Sequence, residues 1–415
     1  MCFIIIKLIT MAEIAEEFIP RPLYLNRVKP FIGKNLVKVF TGQRRVGKSY
    51  LLFQIMDEIK KQDPVATFIY INKEDLAFTH LRNAEDLNAY VLAHKASKGK
   101  TYVFIDEIQD ILDFELALRS LLLDQSLDLY CTGSNANLLS GDIAGHLSGR
   151  SIEITVYSLS YQEFLVFQAI EDSAEALADY LKYGGLPYLR NLPLKEEIAF
   201  EYLKNIYSTI IFRDVINRYA LRNAAFLEQL VFFLASNTGS IFSAKRISDF
   251  LKSQQVNIAP NQVQTYLRHL ASAFLIHPVK RYDLVGKRIF EVGEKYYFEN
   301  LGIRNALWGY RLEDLGKIVE NVIYNHLLLS GYNVEVGISG DQEIDFVAKK
   351  AGERVYIQAA LTLLEEKTIK REFGNLLRIK DNYPKMVVTM DGFSGNSVEG
   401  IMALSLRDFL MDRWC

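Results

Sequence analysis

Val37-Lys38-Val39-Phe40-Thr41-Gly42-Gln43-Arg44-Arg45-Val46-Gly47-Lys48-Ser49-Tyr50 is the stretch whose reading decides the fold. Residues 42–49 have the form G-x-x-x-x-G-K-S/T, the pattern of a phosphate-binding loop (P-loop). Each position has a mechanical job. Gly42 and Gly47 let backbone N–H groups curl round phosphate oxygens, Lys48 brings a point charge, and the Ser49 hydroxyl suits Mg²⁺. The flanks supply the setting that such a loop needs. Val37–Thr41 is a β-type run, and Tyr50-Leu51-Leu52-Phe53-Gln54-Ile55-Met56 repeats apolar residues as a buried helix does. Strand, loop and helix in that order bring a helix N-terminus, with its positive dipole end, to the phosphates. Gly42, Gln43, Arg44, Arg45, Val46, Gly47, Lys48, Ser49 and Tyr50 are therefore the candidate cradle for ATP and Mg, the two expected cofactors.

Downstream, Thr101-Tyr102-Val103-Phe104-Ile105 is a continuous apolar run, as in a strand buried on both faces of a parallel sheet, and it ends in Asp106-Glu107. An Asp at the strand tip suits the Mg²⁺ shell, and the Glu beside it suits a general base that polarises water. A kinase of small molecules has no use for that Glu, so the pair points to hydrolysis coupled to motion. A third run, Leu129-Tyr130-Cys131, ends in Thr132-Gly133-Ser134-Asn135. Such tips face the ligand crevice of a parallel sheet, so Asn135 or Ser134 is a candidate to orient water or sense the γ-phosphate. Arg150, in Leu147-Ser148-Gly149-Arg150, is a candidate for transition-state charge, in cis or across a subunit boundary; an arginine holding a structural carboxylate is an equal reading.

Composition limits the rest. The chain has 415 residues, enough for two to four domains, and half of them are hydrophobic against 24% charged, as in a globular protein with real cores. A net charge of −2 advertises no global basic field, so any nucleic-acid partner must use a local patch. Cys2, Cys131 and Cys415 are scattered and odd in number, and the six histidines show no metal-ligand spacing. This fits a reducing cytoplasm and excludes a disulfide scaffold or a zinc site. Residues 1–10 are apolar but too short to span a bilayer, and they lack a signal peptide's basic start and cleavage site. No membrane partner is expected, and Met11 competes with Met1 as the start of translation.

The expected fold class is α/β: a P-loop parallel sheet (20–165), a helical lid (166–224), a winged helix (225–292) and a C-terminal restriction-endonuclease-like α/β domain (293–415). The lid is two helical stretches broken sharply at Gly184-Gly185-Leu186-Pro187. The winged helix rests on a helix near 243–251, a second at 261–270, and β-type runs at 274–279 and 288–292. Arg268, with Gln262, Gln264 and Thr265, suits a helix facing a groove. Lys280, Arg281, Lys287 and Arg288 suit phosphates from the hairpin. A winged helix used only for protein packing is the competing reading. In the last domain a helix at 318–328 carries Glu320. Strand period two puts Glu343 and Asp345 on one face with Phe346 on the other, and Gln358 sits on the next strand. Glu320, Asp345 and Gln358 are the candidate ligands of a vestigial metal site, expected in one shallow pocket with Glu343 at its rim. The third nuclease motif would read Gln358-Ala359-Ala360, so Ala360 stands where a water-activating lysine is expected, and cleavage should be weak or absent. Lys349 or Lys350 would be the first substitute cation to test.

Taken together, the chain resembles the AAA-type ATPases of bacteria and archaea that join an ATPase core to a restriction-endonuclease-like C-terminal domain of unknown function. The likeness rests on Gly42–Ser49, Phe104-Ile105-Asp106-Glu107-Ile108-Gln109, Thr132-Gly133-Ser134-Asn135 and Leu147-Ser148-Gly149-Arg150. It continues through Gly184-Gly185-Leu186-Pro187, Lys295-Tyr296-Tyr297-Phe298, Gly302-Ile303-Arg304-Asn305, Glu343-Ile344-Asp345-Phe346 and Tyr356-Ile357-Gln358. The resemblance implies a cytoplasmic ATPase with a winged helix, distantly related to initiator-type ATPases, and supplies no substrate. Glu299-Asn300 departs from the family, in which an Asp is common at the second position. Three functions follow as expectations: a DNA-associated ATPase, a nucleotide-controlled switch acting through a protein partner or a second copy of the chain, and an ATP-gated nuclease.

Overall fold

The structure is a computed structural model; it describes residues 18–139, 147, 149–253, 255–284, 293–339, 342–363, 366–390 and 397–413. Lys287 and Arg288, with the run expected at 288–292, lie outside the described residues. The chain divides into two compact units. One holds the residues through Gly42 with Val46–Val156, and the other holds Gln43–Arg45 with the residues from Tyr157 onward. The boundaries expected at 166, 225 and 293 all fall inside the second unit.

The first unit is a parallel sheet with helical crossovers. In chain order it runs α1 (Pro22–Val28), β1 (Val37–Thr41), α2 (Lys48–Gln62), β2 (Thr67–Asn72), α3 (Ala84–His94), β3 (Thr101–Asp106), α4 (Phe114–Leu121), β4 (Leu127–Gly133) and β5 (Ser151–Thr155). The sheet order is β2-β3-β4-β1-β5, every pair parallel. β1, β3 and β4 are buried along their whole length, which is why they read as unbroken apolar runs. Lys38 on β1 and Asp128 on β4 are fully buried and paired with each other. Asp128 also accepts from Gly33 N at 2.7 Å and Tyr130 Oη at 2.8 Å, so the buried charges are neutralised and hydrogen-bonded. Chain order leaves β1 and β4 as neighbours although β2 and β3 come between them in sequence. That is a topological switch point, and a crevice opens at the carboxyl ends of the strands there.

The second unit begins with helices α5 (Tyr161–Gln168), α6 (Ala174–Tyr183), α7 (Glu196–Thr209) and α8 (Ala224–Ser236), with a π-helical stretch Ile210–Asn217 following α7. Then come β6 (Ile241–Phe242), α9 (Ala244–Ser253), α10 (Pro260–Ser272), β7 (Ile276–Val279), β8 (Arg281–Asp283) and β9 (Glu294–Phe298). β6, β9 and β7 form a three-stranded antiparallel sheet in that order. The described strand paired with β7 is thus Glu294–Phe298, downstream of the run expected at 288–292.

The last part runs α11 (Leu301–Trp308), α12 (Leu315–Leu329), β10 (Asn333–Ser339), β11 (Gln342–Lys350), β12 (Glu353–Ala360), α13 (Glu366–Leu377), β13 (Lys385–Thr389), β14 (Ser397–Val398), β15 (Ile401–Ser405) and α14 (Leu406–Leu410). Its seven-stranded sheet has the order β14-β15-β13-β12-β11-β10-β8. One apolar cluster, with Val319, Ile323, Phe346, Ile357 and Val388, includes residues of α12. A second, with Ile344, Val347, Phe373 and Leu376, includes residues of α13.

Strict alternation fails on β11. Glu335 pairs with Val347 and Gly337 with Ile344, so Val336 is opposed by both Asp345 and Phe346. This bulge re-aims Asp345. Gly337 is required across from it, because a Cβ there would stand 2.8 Å from Val347 and 2.9 Å from Ile344.

Candidate functional site

The carboxyl end of β1 delivers the P-loop. Gly42 has φ +147°, and a Cβ on it would lie 2.1 Å from Val156 O, so only glycine fits. Gly47 is left-handed at φ 94°, immediately before α2. Lys48 is buried, and its Nζ donates to Gly42 O at 2.9 Å, which ties the lysine to the start of the loop that it closes. Arg45 is exposed with φ +70°, and Tyr50 is exposed. Gln43 and Arg44 are buried within the second unit. There Gln43 Nε2 donates to Phe274 O at 2.8 Å, and Arg44 Nε and Nη2 reach Asp214 at 3.0 and 3.2 Å.

β3 ends at Asp106, level with β1's neighbour β4. Asp106 is bonded to the Ser49 hydroxyl and accepts from Thr132 Oγ1 and from Tyr70 Oη at 3.2 Å. Burial raises its pKa. The Ser49 and Thr132 hydrogen bonds and the Lys48 charge work the other way, and the Glu107 charge adds to the rise. Glu107 follows in a left-handed conformation, φ 56° and ψ 53°, uncommon for a residue with a Cβ. Its N–H donates to Thr132 Oγ1 at 2.9 Å, and its Oε2 accepts from Gln109 Nε2. Ser134 and Asn135 follow the tip of β4, Ser134 buried and Asn135 partly so.

Ser49 and Asp106 thus form a hydroxyl–carboxylate pair of the kind that holds Mg²⁺ beside a phosphate cradle, and the residues fit Mg·ATP. The sequence reading assigns no role to Thr132, Gln109 or Tyr70. The available signal was their position, small polar at a strand tip for Thr132 and two residues past the acids for Gln109.

Arg150 is not brought to this crevice. It precedes β5, and its carbonyl accepts from Val37 N at 2.9 Å, at the amino end of the parallel pair. The P-loop leaves the other end, roughly 16 Å away at about 3.3 Å per strand residue. Parallel register is the reason, and a role for Arg150 on its own chain's phosphates is corrected accordingly.

In the second unit Glu320 on α12, Asp345 and Glu343 on β11, and Gln358 on β12 do come close, but round a residue that sequence reasoning did not single out. Lys295 on β9 is 3% exposed, and its Nζ lies 2.6 Å from Glu320 Oε1, 2.6 Å from Glu343 Oε1 and 3.4 Å from Asp345 Oδ1. Tyr297 Oη also donates to Glu320 Oε1, at 2.6 Å. Burial alone would lower the lysine's pKa; attraction to Glu320, Asp345 and Glu343 outweighs it and the pKa is raised. Burial pushes Glu320 up to about 7 against the pull of Lys295, and Asp345 is raised for the same reason. Gln358 Oε1 accepts from Asp345 N at 3.3 Å, and its side chain is bonded to Glu372.

Ala360 packs in the apolar cluster with Ile344 and Val347. The substitute cation is neither Lys349, which pairs with Glu335 at 2.6 Å, nor exposed Lys350, which lies over the Tyr332 ring. A divalent ion does not fit this donor set. Among the described residues no group of three or more His, Cys, Asp or Glu is arranged to hold a metal.

Of the basic residues expected on DNA, Arg268 is exposed on α10 and Lys280 is exposed after β7. Arg281 is half-buried in β8, the edge strand of the seven-stranded sheet, paired in register with Val336. Among the described residues no helix is long and apolar enough to cross a membrane.

Comparison with known proteins finds two family profiles. An AAA domain matches residues 34–165, and a domain of unknown function (DUF8612) matches residues 174–314. The chain is 33% identical over 405 residues to an uncharacterized protein of Haemophilus influenzae, covering 96% of this chain and 100% of that one. It is 30% identical over 315 residues to an uncharacterized protein of Methanocaldococcus jannaschii, covering 72% and 68%. Among solved structures, AMPPCP-bound DnaA from Aquifex aeolicus is 14% identical with a TM-score of 0.31, covering 61% of this chain and 89% of that one. C. elegans PCH-2 is 11% identical with a TM-score of 0.27, covering 60% and 66%. Rhizobiales Trip13 is 14% identical with a TM-score of 0.26. There the match covers 37% of this chain and 58% of that one, less than two thirds of its length.

Proposed function

The chain belongs to the AAA-domain family that includes its Haemophilus influenzae and Methanocaldococcus jannaschii relatives, and on that premise we propose that it is a Mg-dependent ATP-hydrolysing protein that works on DNA and carries a non-cleaving nuclease-like domain. The observation that carries the reading is the bond of Ser49 to Asp106 and the joining of Asp106 and Glu107 through Thr132 at the end of the sheet from which the P-loop leaves.

Bound Mg·ATP would supply an electrophilic γ-phosphoryl group whose charge the metal neutralises. The chain's part is to hold and aim. The P-loop amides and Lys48 hold the phosphates, and Ser49 with Asp106 holds the metal. Glu107 takes the proton of the attacking water, held in place by Thr132 on its backbone and Gln109 on its carboxylate. Asn135, just past the tip of β4, orients that water. Arg150 of one copy serves the site of a neighbouring copy, since its own site lies at the other end of the sheet.

The order α8, β6, α9, α10, β7, β9, with an antiparallel sheet β6-β9-β7, supports the winged-helix reading. α10 exposes Asn261, Gln262, Gln264 and Arg268 along one side, the groups that a helix in a DNA groove would use. ATP turnover with and without duplex, single-stranded and branched DNA tests the proposal. DNA should stimulate turnover, Lys48→Ala should weaken ATP binding, and Glu107→Gln should keep ATP affinity while slowing turnover by roughly 10² to 10⁴. Turnover indifferent to every DNA, with DNA binding absent at low salt, would favour a switch acting through a protein partner instead.

A further inference from the structure

We infer that Lys295 is the resident cation of the acidic pocket and that this pocket takes no divalent metal. The inference deepens the non-cleaving reading proposed above and rests on it. Three facts on the donor side carry it. The ammonium has three protons, and three carboxylates stand round it at 2.6, 2.6 and 3.4 Å. These are hydrogen-bond lengths; Mg²⁺ demands oxygens at about 2.1 Å in near-octahedral array, so a metal would have to displace the lysine and draw the acids inward. Asp345 Oδ2 already accepts from Ala359 N at 2.9 Å, and Gln358 Oε1 accepts from Asp345 N, so these two oxygens of the expected metal site are engaged inside the protein.

The lysine is also fixed from behind. Lys295 pairs in register with Ile241 on one side of β9 and Val279 on the other, so its backbone cannot withdraw without breaking the three-stranded sheet. An ammonium that donates to Glu320 and Asp345, with Glu343 as a third ion-pair partner, stays protonated and has no lone pair with which to activate water. It therefore fills the cation's place and does not supply the missing nuclease lysine.

The test uses the full-length, nucleotide-free protein with Mn²⁺ as the probe, free Mn²⁺ being read by electron paramagnetic resonance. Wild type and Asp345→Asn are expected to leave the same amount of Mn²⁺ free, and Lys295→Met is expected to lower the unfolding midpoint by roughly 5–10 °C, as loss of one partner from a buried ion cluster does. Mn²⁺ uptake by wild type that Asp345→Asn abolishes overturns the inference. A folded Lys295→Met protein as stable as wild type overturns it too. Should Lys295→Met not fold, the comparison of wild type with Asp345→Asn decides alone. A parallel DNA-cleavage assay keeps the two levels apart. Asp345-dependent Mn²⁺ uptake without cleavage removes only this inference, whereas cleavage lost in Asp345→Ala removes the non-cleaving reading.

Discussion

Glu107 N–H donates to Thr132 Oγ1 at 2.9 Å, and the same hydroxyl donates its proton to Asp106. One side chain on β4 therefore ties Asp106, the last residue of β3, to Glu107, the residue after it. Thr132→Val keeps the shape and removes both bonds. A hydrogen bond to a charged group is worth about 1.5–3 kcal/mol, so ATP turnover should fall on the order of 10- to 100-fold with the protein still folded. Steady-state ATPase assays beside a circular dichroism melt would check this; unchanged turnover would mean that the strand ends alone set the geometry.

Gln109 acts on Glu107 rather than on substrate. Its Nε2 donates to Glu107 Oε2, and its Oε1 has no hydrogen-bond partner among the described residues. Gln109→Ala should lower kcat about tenfold and leave KM for ATP nearly unchanged, because the phosphate cradle is untouched. Losing a donor to the carboxylate should also move the acid limb of the pH–rate profile upward. An equal rise in KM with an unmoved pH profile would make Gln109 a packing residue.

What was legible in the sequence was whatever chemistry requires of adjacent residues. The P-loop is one contiguous motif, and Asp106-Glu107 follows an apolar run that can only be a buried strand. Lys295 was not legible because its partners lie 25, 48 and 50 residues on, and no periodicity reports which strands share a pocket. The alternation that put Glu343 and Asp345 opposite Phe346 was undone by a bulge whose signal, Gly337, is on the neighbouring strand. Arg150 was read near a glycine turn without its register, and the register carries it to the far end of the sheet.

Gly184 and Gly302 explain each other. A Cβ on Gly302 would stand 1.9 Å from Tyr183 O, one on Gly184 2.6 Å from Gly302 N, and one on Gly185 2.4 Å from Leu159 O. The break after α6 and the start of α11 thus meet backbone to backbone. Gly302→Ala should cost about 3 kcal/mol, the upper range for overpacking, because backbone cannot step aside as a side chain can. Gly316→Ala, in α12 with open space at its Cβ, is the control and should be neutral or stabilising by up to about 1 kcal/mol. Chemical denaturation of both variants would decide.

Arg268 is exposed on α10, with Nη2 resting 3.1 Å from Thr265 Oγ1. If α10 faces DNA, Arg268→Ala should weaken binding and reduce the slope of log K against log salt by about 1. Fluorescence anisotropy over a salt series measures both. Binding with an unaltered slope would send the search to another face.

His277 gives the second unit a pH dependence. Its Nε2 is buried with no hydrogen-bond partner among the described residues, and the ring sits near Tyr157 and Tyr324, at 6.0 and 5.9 Å between centroids. Burial lowers its pKa from 6.5 to about 4. The unfolded chain therefore binds a proton near pH 6.5 that the folded chain refuses until about pH 4. Stability is full above pH 6.5, falls by about 1.4 kcal/mol per pH unit through that window, and is flat below it. His277→Phe keeps a ring in the same space and removes the titration. Carboxylates titrate in the lower half of the window in both proteins, so the readout is the difference between wild type and variant. Urea midpoints followed by tryptophan fluorescence from pH 7.5 to about pH 4.5 should separate toward the acid end, the variant losing less on the way down. Parallel curves would mean that the imidazole finds a proton acceptor in the folded state.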